Sequence, residues 1–309
     1  MPSYTTDPSI DQGALLKFKQ NFHILAQQSV SQLANSPAIE YADPNGKTNQ
    51  MARMGRIELE EVEGRNPNKS YGDYAIDNRR FTKRRFTRTI TIDKLYDINE
   101  LIADPTSNIL QQLIAAKERV VDRVIAAVSI GDVLTGAPDA AASTVSAVND
   151  GVITVDGTAG FTYAVVQKIT QTFINNDVQM SQFTGTQILI SGKENTNLMG
   201  EDKFINNDFI SGRPVEKGVM DKVGMYGVVR FAGSENGGIS VANPVIVEDA
   251  TFRYCPVLAP KSVSLAIEIG DISVEKNPSK VNSKDITIDL WINGMRNEGA
   301  LVQIVQTTI

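Results

Sequence analysis

His23 is the only histidine and Cys255 the only cysteine among 309 residues. A Ser-His or Cys-His nucleophilic pair would have to use His23, and sites needing two imidazoles or several thiolates are excluded. His23 stands beside Phe22 in a helical pattern, where a structural imidazole is the plainer reading. Cys255, in the context Arg253-Tyr254-Cys255-Pro256, reads as a small buried hydrophobe, and one cysteine permits no intrachain disulfide. The stretch GTQILISGKE, Gly185 to Glu194, has the outline of a phosphate loop but fails its test. That motif places a glycine where Gln187 stands and a Ser or Thr where Glu194 stands. Glu118 and Asp122 sit four apart on one helix face, as a general acid/base pair might be spaced. Arg119 and Arg123 beside them make a charge ladder the better account. No constellation for catalysis emerges, and the sequence calls for no cofactor.

One charged constellation remains. The run RRFTKRRFTR carries six cations, Arg79, Arg80, Lys83, Arg84, Arg85 and Arg88, with Phe81 and Phe86 interleaved. Such a run could follow a phosphate backbone and stack bases. Against this stand a net charge of −6, a pI near 5.0 and an acidic stretch upstream, Glu58, Glu60, Glu61 and Glu63. Opposed acidic and basic limbs favour salt bridging between strands or between subunits.

The elements that would position these charges follow from periodicity. Ile57 and Leu59 alternate with Arg56, Glu58 and Glu60, and Phe86, Arg88, Ile90 and Ile92 alternate with threonines. With the polar turn-rich stretch from Gly64 to Asp77 between them, residues 52–93 read as a long hairpin too polar for a core. Ahead of it, a polar arm leads into a helical pattern from Gly13 to Leu33. Behind it comes DPTSNILQQLIAAKERVVDRVIAAVSIGDV, Asp104 to Val133. Asp104 and Pro105 suit a helix start, an apolar stripe recurs at three and four, and Gly131 supplies the stop. This is a rod roughly 40 Å long at 1.5 Å per residue, a spine for sheets. A strand is expected at Val152–Val155, a helix at Tyr163–Asn175, a buried strand at Gln187–Ser191, a polar loop at Gly192–Gly218 and a strand at Gly227–Phe231. Antiparallel strands are expected around residues 262–269, 286–293 and 300–305, with the spine as their lid. No run approaches the ~18 apolar residues of a membrane span, and the N-terminus lacks signal-peptide features. The expectation is a soluble protein made in a reducing compartment.

Arm and helix, charged hairpin, spine helix, mixed α/β middle and β-rich end form an order that resembles the major capsid proteins of tailed bacteriophages, of the Hong Kong 97 fold. Three stretches carry the resemblance. Asp93–Gly136 is similar to the family's lead-in, "DP" helix start, Arg119/Asp122 pair and closing turn. Leu198–Gly224 is similar to its loop with glycines (Gly218, Gly224) before a strand, and GMRNEGALVQIV to the closing strand of its peripheral domain. The resemblance implies an α+β chain with an N-terminal arm over 1–50 and an extended β-hairpin loop over 51–93. A peripheral domain would take 94–155 and 255–309, with the spine helix at about 105–133, and an axial domain 156–254. It implies a non-enzymatic shell subunit in the virion that forms hexamers and pentamers in the bacterial host cytoplasm. The expected partners are many copies of itself, a separate scaffolding protein, a portal, and packaged double-stranded DNA held by weak non-specific contact; no membrane is involved. Glu58, Glu60, Glu61, Glu63, Arg79, Arg80, Lys83, Arg84, Arg85 and Arg88 would lie at contacts between subunits. The alternatives are a cellular nanocompartment shell of the same fold, or a nucleic-acid-binding virion protein using Arg79–Arg88.

Overall fold

The structure, a computed structural model, describes residues 27–43, 45–61, 63–64, 71–93, 106–136, 143–178, 184–201, 220–231, 246–248, 251–280 and 282–309. His23, most of the expected N-terminal helix, the lead-in to the spine helix and the loop 202–219 lie outside these residues.

The N-terminal half begins with strands β1 (Ile39–Tyr41), β2 (Thr48–Met54), β3 (Ile76–Thr82) and β4 (Arg84–Asp93), followed by helix α1 (Thr106–Ile130). Short strands β5 (Val133–Thr135), β6 (Ser143–Val145) and β7 (Ile153–Asp156) lead to α2 (Tyr163–Asn175), β8 (Gln187–Ile190) and α3 (Gly192–Met199). Then come β9 (Lys222–Val223), β10 (Tyr226–Arg230), β11 (Val247–Glu248), β12 (Phe252–Leu258), β13 (Val263–Lys276), β14 (Ser283–Arg296) and β15 (Val302–Thr308).

These strands build three sheets, ordered β1-β13-β14-β4, β7-β15-β12-β8-β10-β9 with β11 beside β12, and β2-β3-β5-β6. The spine helix lies on the first. Leu113, with Ile109 and Leu110, packs on Ile92, Ile286 and Ile288 near its start. Val121 and Ile125 share the large core with Leu265, Leu290 and Ile292 further along. A side chain of this kind, fully buried, contributes about 2 kcal/mol. The long β13–β14 hairpin has the expected alternation and carries a bulge between Ile269 and Ile272. Gly294 of β14 packs tightly on β13; an added Cβ there would come within 2.4 Å of the Ser264 carbonyl oxygen.

The helices at 106–130 and 163–175 and the strands at 187–190, 226–230, 263–276, 283–296 and 302–308 fall where the sequence predicts them. Four features differ. Gln27–Leu33 is not helical. Its backbone is drawn onto α1 instead, because the buried Asp122 carboxylate accepts from Ser31 Oγ at 2.5 Å, from the Gln32 and Leu33 N–H groups at 3.1 Å, and from Gln28. The charge ladder expected around Asp122 is replaced by this clasp, and Arg119 reinforces it by donating to Gln27 and to the Gln28 carbonyl. The expected loop after Ser191 opens with α3, whose first turn carries a capping box between Ser191 and Glu194. The closing strand β15 lies in the seven-stranded sheet beside β7 and β12, away from the sheet under the spine helix. The fourth difference concerns the hairpin.

Candidate intersubunit surface

The apolar-charged alternation from Arg56 to Glu61 joins no sheet. The outgoing limb is β2 instead, and it pairs with β3 from Thr48↔Thr82 to Met54↔Ile76. β4 does not pair with the outgoing limb at all. It runs antiparallel to β14, from Arg84↔Ile292 to Asp93↔Ser283. The switch occurs at Lys83. Its N–H donates to the Lys47 carbonyl, and Asn293 Nδ2 holds the Thr82 carbonyl at 2.7 Å, so the strand leaves one sheet and enters another across a single residue.

The six cations are therefore divided between two environments. Arg79 is 1% exposed and donates to the Asp150 carboxylate and to the Arg296 carbonyl, the latter at 2.8 Å. Lys83 is buried against Glu268. Arg85 donates to Asp289 at 2.6 Å and lies over the Trp291 ring, 5.7 Å from its centroid. Its hydrogen bond, and that of Thr87, hold the Asp289 carboxyl below its ordinary pKa. Arg80 is half-buried between Gln50 of β2 and Leu134 of β5, and Arg84 and Arg88 stand exposed on β4. A continuous phosphate-tracking face is not formed, because Arg79 and Lys83 point into the protein. Glu58, Glu60, Glu61 and Glu63 are exposed on a limb that joins no sheet, where Arg56 meets Glu58 at 3.3 Å and Asp177 at 2.9 Å.

Where β3 meets the end of α1, the hairpin is rooted in a buried ion cluster that pattern reading missed. Arg296 donates to Asp150 Oδ2 at 2.7 Å and, through Nη1, to the Ser129 and Gly131 carbonyls at 2.9 Å each. It thus supplies a cation to the carbonyl end of the spine helix. Asp150 takes both Arg79 and Arg296, while Arg53 from β2 approaches to 3.9 Å and is itself paired with Asp77 at 2.9 Å. Burial pushes the Asp150 carboxyl up, but the hydrogen bonds and charges of Arg79 and Arg296 outweigh it and hold the pKa below its ordinary value. The Asp150 loop is seated on Gly299, where an added Cβ would fall 2.0 Å from the Asp150 carbonyl oxygen. A second buried network joins Glu194, Ser191, Arg253 and Thr307 across α3, β12 and β15. Ser-x-x-Glu after a strand was the available signal for it. Asp150 and Arg296 gave none, being isolated charges in unrelated segments.

Beyond Met54 and Ile76 the hairpin projects as an excursion with large apolar side chains in solvent. Leu59 is 99% exposed and Tyr71 90%, and Met54, Ile57, Tyr74 and Ile76 are each more than half exposed. Cys255 is buried, as expected. Among the described residues no group of three or more His, Cys, Asp or Glu could hold a metal ion, and no helix is long and apolar enough to cross a membrane.

Three comparisons bear on this arrangement. The family model described as phage capsid protein matches residues 10–307. A search of curated proteins gave no match. Among solved structures, the fold is similar to the capsid of cyanophage Pam1, with a TM-score of 0.63 at 14% identity over 93% of this chain and 95% of that one. It is also similar to the capsid of Ralstonia phage GP4, with a TM-score of 0.62 at 9% identity over 100% and 98% of the two chains. The mature capsid of bacteriophage PhiM1 gives 0.61 at 13% identity, over 94% and 89%. The match of the family model across nearly the whole length, on a fold shared with phage shells, places the chain in the phage capsid protein family.

Proposed function

We propose that copies of this chain assemble into hexamers and pentamers and close into the icosahedral shell around the double-stranded DNA of a tailed bacteriophage. The observation that carries this reading is the excursion beyond Met54 and Ile76. Its apolar side chains are held in solvent by the isolated subunit, while its root is locked by buried ion pairs. A rigidly mounted, partly apolar projection is a contact element for another molecule. In this reading the exposed Glu58, Glu60, Glu61 and Glu63 and the basic Arg80, Arg84 and Arg88 serve contacts between subunits, while Arg85 is held by Asp289 of its own subunit. Arg79 and Lys83 hold the hairpin to its own subunit. The seven-stranded sheet with α2 and α3 is the axial unit, and α1 with the sheet β1-β13-β14-β4 is the peripheral unit. Residues 1–50 serve as the arm. The protein is structural, not enzymatic, and is assembled in the host cytoplasm with a separate scaffolding protein and a portal. An acidic chain suits a wall that meets DNA weakly.

The test is negative-stain microscopy of the expressed full chain, alone and with scaffold, with its mass distribution in solution. Rings, tubes or closed shells are expected. A strict monomer at every concentration, with and without scaffold, would overturn the reading.

A further inference from the structure

Asn-Gly pairs occur at Asn45-Gly46, Asn236-Gly237 and Asn293-Gly294. In such a pair no side chain shields the glycine nitrogen, which can therefore attack the amide carbon of the asparagine before it. The pair at 236–237 lies outside the described residues, and the other two stand in opposite situations.

Asn293 is 9% exposed on β14. Its Nδ2 donates to the Thr82 carbonyl at 2.7 Å, and Gly294 is paired with Leu265 in the β13–β14 ladder. Neither reacting group is available while the sheet is closed. Asn45 and Gly46 are both exposed, in the bend between β1 and β2. Gly46 has φ +85°, and a Cβ added there would have no neighbour nearer than 4.0 Å. Among the described residues its N–H makes no hydrogen bond. Asn45 Nδ2 donates to the Asp43 carboxylate at 2.8 Å, but both side chains are in water, where such a bond opens at small cost.

We infer that Asn45 is a site of spontaneous covalent modification, losing its side-chain amide through a cyclic imide with Gly46. The Gly46 nitrogen, deprotonated by hydroxide, bonds to Asn45 Cγ and closes a five-membered ring. The Cγ–Nδ2 bond breaks, and the nitrogen takes up protons from water and leaves as ammonia. Water then opens the ring at one of two bonds. Cleavage of the bond to Cγ leaves aspartate. Cleavage of the bond to the main-chain carbonyl carbon leaves isoaspartate, with the chain now running through the side chain. Water is the only co-reactant, and nothing is oxidised.

Both products alter the turn. A carboxylate replaces the amide that donated to Asp43, so an attraction becomes a repulsion. The Asp43 carbonyl also holds the start of β2, accepting from Asn49 Nδ2 at 2.7 Å. Isoaspartate lengthens the main chain by one carbon just ahead of Lys47, whose carbonyl accepts the Lys83 N–H at 2.9 Å where the strand passes between sheets. Ageing at Asn45 therefore loosens the sheet switch at Lys83, with no enzyme involved. The site does not depend on the shell reading.

The test incubates the full chain at mildly basic pH, folded and in urea, and follows the Asn45 and Asn293 peptides by mass and by enzymatic methylation of isoaspartate. In the folded chain the Asn45 peptide should convert. The Asn293 peptide should convert roughly a hundredfold more slowly, because it must wait for β14 to open. In urea the two rates should converge, and the rate at Asn45 should rise in proportion to hydroxide. Asn45→Gln, whose ring would be six-membered, should stay intact. Amide exchange at Lys83 should speed up on ageing in the native chain and not in this variant. An Asn45 peptide that survives while the unfolded chain is converted overturns the assignment, as does equal conversion of Asn45 and Asn293 in the folded chain. Conversion with unchanged exchange at Lys83 overturns the loosening.

Discussion

Replacing Asp150 by asparagine keeps the shape of the side chain and removes the carboxylate that two buried guanidinium groups donate to. The Arg79 and Arg296 side chains retain at most 2% of their surface, so neither can recover its lost partner by turning to water. Breaking a buried ion pair from one side costs about 3–5 kcal/mol, because the remaining charge stays desolvated. Here two charges are stranded, although Arg296 keeps its bonds to the Ser129 and Gly131 carbonyls and Arg79 its bond to the Arg296 carbonyl. We expect a loss in that range, a large part of the 5–15 kcal/mol typical of a folded protein. The assay is urea unfolding of unassembled subunits at pH 7, followed by the fluorescence of Trp291, the only tryptophan. The midpoint should fall by about 1 M or more. Asp221→Asn, which breaks the exposed pair with Arg230, is the control and should cost no more than about 1 kcal/mol. The pH dependence has a definite sign. The folded-state pKa of Asp150 is depressed, so its contribution is fully present above the ordinary carboxylate pKa and is lost as pH falls through the lower folded value. Asp150→Asn should therefore flatten the acid limb of the stability curve while lowering it at neutral pH. If Asp150→Asn costs no more than Asp221→Asn, the cluster does not root the hairpin and the reasoning fails.

Other perturbations separate the remaining contacts. Asp122→Ala should free Gln27–Leu33 from α1, with hydrogen-exchange protection at the Gln32 and Leu33 amides falling at least tenfold while β14 is unaffected; unchanged protection would refute the clasp. Ser191→Ala should cost about 1 kcal/mol as a lost helix cap. Glu194→Ala should cost about 3 kcal/mol or more because it strands the buried Arg253, and equal losses for the two would contradict the network. Gly299→Ala should destabilise at least as much as a typical core substitution, since the Asp150 loop must move, and unaltered thermal unfolding would count against that packing.

These expectations concern features that the sequence discloses unevenly, and the division has a physical cause. α1, α2 and the strands of the C-terminal hairpin are apparent because each buries one periodic face against a single partner layer, so local pattern and tertiary environment agree. Cys255 is buried, as its apolar context predicts. The charged hairpin misleads because RIELEEVEG has a cleaner alternation than the strand actually used, TNQMARM. Alternation reports that a segment suits a two-faced surface; it does not say whose surface. For β2 that surface is in the same chain. Arg56–Glu61 joins no sheet, although its pattern is that of a strand with a partner, and Arg56 is tied to Asp177 instead.

The same distinction sorts the cations. A basic run looks uniform in sequence, yet Arg79 and Arg85 are two strand positions on either side of a sheet switch, and each finds its carboxylate, Asp150 or Asp289, in a distant segment. Such pairings depend on which strands become neighbours, and no local period encodes that. Arg84 and Arg88 stay exposed on β4, while Arg79, Lys83 and Arg85 are taken by Asp150, Glu268 and Asp289. One basic run thus ends as buried anchors and surface charges, in a mixture that only the strand order decides.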